Sequence, residues 1–322
     1  MKFRTWIAII AGALPGSLGA VILFLAIYAW PAIRLNGLQF AIHNTWNLGN
    51  LYADPVTTGG VPIQPGAHYG ILFLIVGTLL STLIALLLAV PVGVGAAIFL
   101  AEAVSGKLRL WISFFVELLA AIPSVVFGLW GYVVLIPFLA HYVFPFFAGT
   151  LGVVIPIFAG PTGSGYGLLT AGIVLSMMIV PLIAATLRDA LVAQPAAMRE
   201  SAMAIGATKF ETVWRVVLPS TNKVLIGASF LALGRALGET MAVLMVSGNA
   251  LNYLPQNVYA PISTMAAFIV SQLDSALQDP TEMAVRSLAE IALVLCLISI
   301  IVNALARLML LAWAPAGRPE RA

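Results

Sequence analysis

Four ionisable residues, Glu117, Arg235, Glu239 and Glu290, fall inside long apolar runs. An Arg or acidic side chain at the centre of a spanning helix costs about 2.5–3.5 kcal/mol on insertion scales, so each should face the interior of a bundle and have a partner. Arg235 and Glu239 are four positions apart, one helical turn on the same face, and can pair directly. Gly227, Ala228, Ala232, Gly234, Ala236 and Gly238 surround them, and small residues let neighbouring helices approach closely. Two uses of the pair are open on these residues alone. It can fix helix packing, or its guanidinium can offer a planar, always-charged fork to the oxygens of a phosphate-like polyanion, with the glutamate holding it in place. Glu117 and Glu290 are polar partners within the membrane or helix–helix hydrogen-bonding groups.

The elements that must carry these residues follow from composition. Of 322 residues, 61% are hydrophobic and only 8% charged. A soluble chain carries about 25% charged residues, so most of this one has lipid as its solvent. The net charge of +3 does not signal nucleic acid, because the 15 Lys and Arg form no stripe with interleaved aromatics. The lone Cys296 allows no disulfide framework, and His43, His68 and His141 are scattered, so neither metal nor cofactor is expected. The sequence Gly106-Lys107-Leu108 is no phosphate-binding loop, so any ATP hydrolysis belongs to another chain.

A spanning helix needs about 20 mostly apolar residues. Six runs qualify, at roughly 6–30, 70–101, 108–140, 166–187, 224–247 and 284–313, giving an all-α, six-span membrane bundle over the single domain 1–322. The apolar stretch continuing through Ala29 favours an uncleaved first span over a signal peptide. The third run is read as one long helix bent near Pro123, followed by an apolar outer segment over 141–165. With the N-terminus inside, twelve basic residues (Lys2, Arg4, Lys107, Arg109, Arg188, Arg199, Lys209, Arg215, Lys223, Arg307, Arg318 and Arg321) lie on the inner side. Only Arg34 and Arg286 lie outside. A seventh crossing at 108–147 would move the five basic residues of 188–223 outward, against that asymmetry.

The inner segment 194–219 has structure of its own. Pro195 suits a first helical turn, and Gly206 is placed to end that helix in a left-handed conformation. Thr208 and Glu211 have capping-box spacing. Phe210, Val213, Trp214 and Val217 form an apolar stripe in the next helix, which Pro219 stops. Periodicity leaves two readings, a rigid knob for a partner or a helix pair lying on lipid headgroups.

Glu200-Ser201-Ala202, Gly206, Val216 and Leu218-Pro219 resemble the EAA motif of ABC-importer permeases at every spacing, with Ser201 and Val216 as mild departures. Gly234-Arg235-Ala236-Leu237-Gly238-Glu239-Thr240-Met241-Ala242-Val243 and Glu117-Leu118-Leu119-Ala120-Ala121-Ile122-Pro123-Ser124, with Gly128, Trp130 and Gly131, resemble PstC-type phosphate-importer permeases. The resemblance covers about residues 45–312. It implies an ABC-importer permease fold in the bacterial cytoplasmic membrane, multi-pass, with both termini cytoplasmic. It also implies coupling to an ATPase through the loop 188–223, carried by Glu200, Ser201, Ala202, Gly206, Leu218 and Pro219, and a phosphate path along Arg235 and Glu239. The implied partners are a PstA-type permease, a PstB-type ATPase dimer and a periplasmic or lipid-anchored phosphate-binding protein. An ion-coupled secondary transporter would need its own ion site, often with inverted repeats and broken helices, and no convincing repeat is found. A membrane scaffold would not need the Arg–Glu pair.

Overall fold

A computed structural model describes residues 2–312. Arg318 and Arg321, and position 313 at the end of the expected sixth span, lie outside the described residues. Among those described, five helices are long and apolar enough to cross a membrane: Ala11–Asn36, Leu72–Ala103, Ser124–Val153, Leu168–Val192 and Met283–Leu308. A sixth is reached when Lys209–Ser220 and Asn222–Leu237, which meet at a 66° bend, are counted as one broken span.

The third span departs from expectation. Ile122 and Pro123 both take extended conformations (ψ 131° and 138°), because proline disfavours the helical region for the residue before it. The helix breaks there instead of bending. Gly106–Ala121 is a separate helix, and the crossing is the 30-residue run Ser124–Val153, most of the way through the segment expected as an outer loop. Three prolines that ought to stop helices, Pro137, Pro145 and Pro219, are passed by one device. Each stands two residues beyond a π turn, at Gly131–Leu135, Leu139–Val143 and Val213–Val217. The carbonyl four residues before the ring then lies in a widened turn and escapes the clash. Pro219 therefore does not end its helix, which runs to Ser220.

The fourth span, Leu168–Val192, is the axis of the bundle, with 72% of its apolar window buried against 11% for the first span. It packs on the second span through contacts that exclude a side chain. A Cβ on Gly172 would lie 2.4 Å from Ile84 Cγ2, and one on Gly93 would lie 2.9 Å from Ile183 Cγ2. Ala85, Ala89, Val174, Leu175, Ile179 and Ile183 fill the core between them.

At the end away from the 194–220 segment, two small antiparallel ribbons pair Trp46–Asn47 (β1) with His68–Tyr69 (β4), and Val56–Thr58 (β2) with Val61–Ile63 (β3). Trp46 packs edge-on against Tyr69 and Phe268, the latter on a short helix Met265–Ala276 within 248–283. Burial pushes the Tyr69 hydroxyl above the ordinary phenol range, with the Asp279 carboxylate adding to the effect.

Candidate functional site

The 194–220 segment is built as its local chemistry dictates. A helix, Ala196–Ala204, begins directly after Pro195, and Gly206 takes φ +96°, the left-handed conformation that glycine adopts without strain. The Thr208 hydroxyl accepts from Glu211 N at 3.2 Å, while Glu211 Oε2 accepts from Thr208 N at 3.0 Å and from its hydroxyl at 2.8 Å. These bonds, led by that to the Thr208 backbone, hold the Glu211 carboxyl below the usual carboxylate range. Ala202, Val217 and Leu218 are buried, but the expected apolar stripe divides. Phe210 and Trp214 stack on one another in the open, 74% and 54% exposed, and Ile205 of the same segment is 88% exposed. Glu200 and Ser201 are exposed on the same segment.

Above this segment, arginines and carboxylates tie the helix ends together. Arg199 reaches Glu102 at 2.7 Å. Arg188, only 8% exposed, reaches Glu117 at 2.9 Å and Asp189 at 2.7 Å. A cleft of about 450 Å³ lined by Arg109, Ser113, Glu117, Arg188 and Asp189 opens beside them. Glu117, on Gly106–Ala121, thus lies beside the end of the fourth span nearest the 194–220 segment.

The fifth span does not deliver the expected Arg235–Glu239 pair. Gly234 and Gly238 each weaken a helix by about 1 kcal/mol relative to Ala, and the helix ends at Leu237. Glu239 turns to the chain beyond, where its Oε1 accepts from Thr240 N at 3.2 Å and Ala242 N at 3.3 Å. It thereby satisfies amides at the start of Met241–Val246. That short helix is pinned by Gly128, where a Cβ would lie 2.9 Å from Ala242 Cα. Arg235 is exposed and, among the described residues, makes no hydrogen bond or ion pair. It lines a cleft of about 440 Å³ with Leu182, Phe230, Leu231, Gly234 and Asn303. Glu290, 5% exposed, accepts from Asn36 Nδ2 at 2.8 Å and so fastens the sixth span to the first.

The chain can be placed among known proteins on this geometry. The family model described as binding-protein-dependent transport system inner membrane component matches residues 89–315. The chain belongs to that family. The permease is 48% identical over 303 residues to the phosphate transport system permease protein PstC 1 of Mycobacterium tuberculosis, covering 91% of this chain and 90% of the relative. It is 38% identical over 297 residues to the PstC protein of Pasteurella multocida, covering 91% and 86%. In fold the permease is similar to the methionine ABC transporter MetNI in an inward-facing conformation, with a TM-score of 0.50 at 19% identity over 76% of this chain and 94% of that one.

Within the permease, no group of three or more His, Cys, Asp or Glu side chains is arranged to hold a metal ion among the described residues. Arg188, Arg199, Arg109 and Glu102 are ionisable residues of the arginine–carboxylate cluster that sequence reasoning left out of the site. Arg188 reads as a loop residue when the fourth span is ended at 187, yet Leu187 and Leu191 flank it at helical spacing and are both fully buried. That periodicity, followed one turn further, would have kept it in the helix.

Proposed function

We propose that this permease moves inorganic phosphate into the cytoplasm, driven by a separate ATPase docked on the segment 194–220. The observation that carries the reading is the extent of the likeness to phosphate permeases, 48% identity across 91% of the chain. Arg235 supports it, being a guanidinium on a spanning helix with no carboxylate neutralising it and a cleft in front of it. An unpaired fork of that kind is the donor a phosphate dianion requires in a low-dielectric path. Glu239 shapes the same place by capping the helix that restarts beyond the break. Glu117 and Glu290 serve helix–helix contacts.

Gly206 and the EAA-like residues Glu200, Ser201, Ala202, Leu218 and Pro219 form the coupling knob, with Ile205, Phe210 and Trp214 as its exposed apolar contacts. The partners on this reading are a PstA-type permease, a PstB-type ATPase dimer and an external phosphate-binding protein, with both termini of this chain cytoplasmic. The test is to co-purify the tagged chain with its partners, identify them by mass, and measure phosphate uptake in proteoliposomes. Uptake is expected only with ATP on the knob side, and Gly206→Val is expected to lower the phosphate moved per ATP, because a β-branched residue resists φ +96°. Uptake driven by an ion gradient without ATP would replace this reading with an ion-coupled transporter.

A further inference from the structure

Three arginines from three different segments converge on the inner ends of the second and fourth spans. Arg199, on Ala196–Ala204, donates to Glu102 Oε1 through Nη2 at 2.7 Å and Nε at 3.2 Å, to Gln194 O at 2.9 Å and to Leu191 O at 2.8 Å. The Arg199 and Glu102 side chains are both about four-fifths enclosed, at 21% and 22% exposure. Glu102 sits in the π turn Phe99–Ala103 that closes the second span. Arg109 also holds the end of that turn, donating to Ala101 O at 2.7 Å and to Val104 O, one residue past it, at 2.8 Å. Arg188 then joins the helix carrying Arg109 back to the fourth span through Glu117.

Four of these six acceptors are main-chain carbonyls at or just past helix ends, where a cation is also favoured by the helix dipole. A guanidinium presents five N–H groups in one rigid plane, so Arg199 holds the end of the fourth span and the end of the second in a fixed relation. The helix Ala196–Ala204 is therefore attached twice, covalently to the fourth span through Pro195 and ionically to the second span through Glu102. Those two spans exclude side chains from their contact at Gly93 and Gly172 and have little freedom to slide apart.

We infer that the Arg199–Glu102 pair is the strut that carries displacement of the coupling knob into the second span, with Arg109 locking the turn it pulls on. The inference rests on the coupling role proposed above and assigns work to two positioning residues outside the EAA-like set. A pair that only stabilises the fold would alter how much complex assembles, whereas a strut sets how much phosphate moves per ATP.

The experiment uses the reconstituted complex and reads phosphate uptake per ATP hydrolysed at matched assembled complex. Arg199→Lys and Glu102→Gln should each lower that ratio about tenfold, the scale of losing a charge-assisted hydrogen-bonded pair. In a Cys296→Ser background, Arg199→Cys with Glu102→Cys should be equally uncoupled, and a short bismaleimide joining the two should restore the ratio. That covalent arm decides the matter if the single variants assemble poorly. An unchanged ratio in both single variants, or a linked pair that stays uncoupled or stops turning over, overturns the strut. Gly206→Val run in parallel separates the two ideas. If it alone uncouples, only the strut falls, and if it too keeps the full ratio, the coupling reading falls with it.

Discussion

Arg188 and Arg235 are both borne by spanning helices, and their surroundings are opposite. Arg188 is 8% exposed and held by two carboxylates at 2.9 and 2.7 Å. Arg235 is exposed on a cleft, and its nearest carboxylate in sequence has turned away to cap the following helix. The charge of Arg188 is matched by carboxylates, although its Nη1 is buried without a hydrogen-bond partner, whereas Arg235 keeps all five of its donors open for something that arrives. On the proposed function, the contrast separates a charge-matched structural arginine from one available to the substrate.

The largest effect expected is on the break that frees Arg235. Gly128→Val should lose assembled complex, since the new side chain meets the Ala242 backbone, which cannot yield as a flexible side chain could. Overpacking of this kind costs about 1–3 kcal/mol, and yield of complex by size-exclusion chromatography reads it. Full yield would mean that Met241–Val246 does not need this contact.

Arg188→Leu comes next. It removes the cation from Glu117 and Asp189, but those side chains are 58% and 69% exposed and stay hydrated. The loss should be about 1 kcal/mol in place of the 3–5 of a fully buried broken pair, seen as a lower Tm with uptake per assembled complex retained. Uptake lost at normal assembly would erase the distinction between the two arginines.

Glu239 sharpens the comparison further. Glu239→Gln can still accept from Thr240 N and Ala242 N, so it should keep both Tm and uptake. Glu239→Leu loses the cap, worth about 1 kcal/mol, and should lower Tm. If Glu239→Gln abolished uptake, the negative charge itself would matter and the two residues would act as a pair after all.

Features decided by local chemistry were legible in the sequence. Gly206 at the bend and the Thr208–Glu211 box are set by backbone and side-chain groups within four residues, and they stand where spacing placed them. The apolar runs of the second, fourth and sixth spans were equally plain, because lipid demands length. Proline was the ambiguous letter. Pro123 breaks a helix, Pro91 and Pro181 sit inside long α-helices, and Pro137, Pro145 and Pro219 each follow a π turn that no residue type announces. The Arg235–Glu239 spacing misled for a similar reason: four positions share a face only if the helix continues, and here it stops at Leu237.

The most direct measurement is phosphate uptake per assembled complex for Arg235→Gln, Arg235→Lys and Arg188→Leu in the same proteoliposomes. A path through Arg235 predicts that Arg235→Gln assembles yet moves no phosphate, that Arg235→Lys is impaired because a point charge does not reproduce the fork, and that Arg188→Leu transports normally per complex. Normal uptake by Arg235→Gln would contradict it.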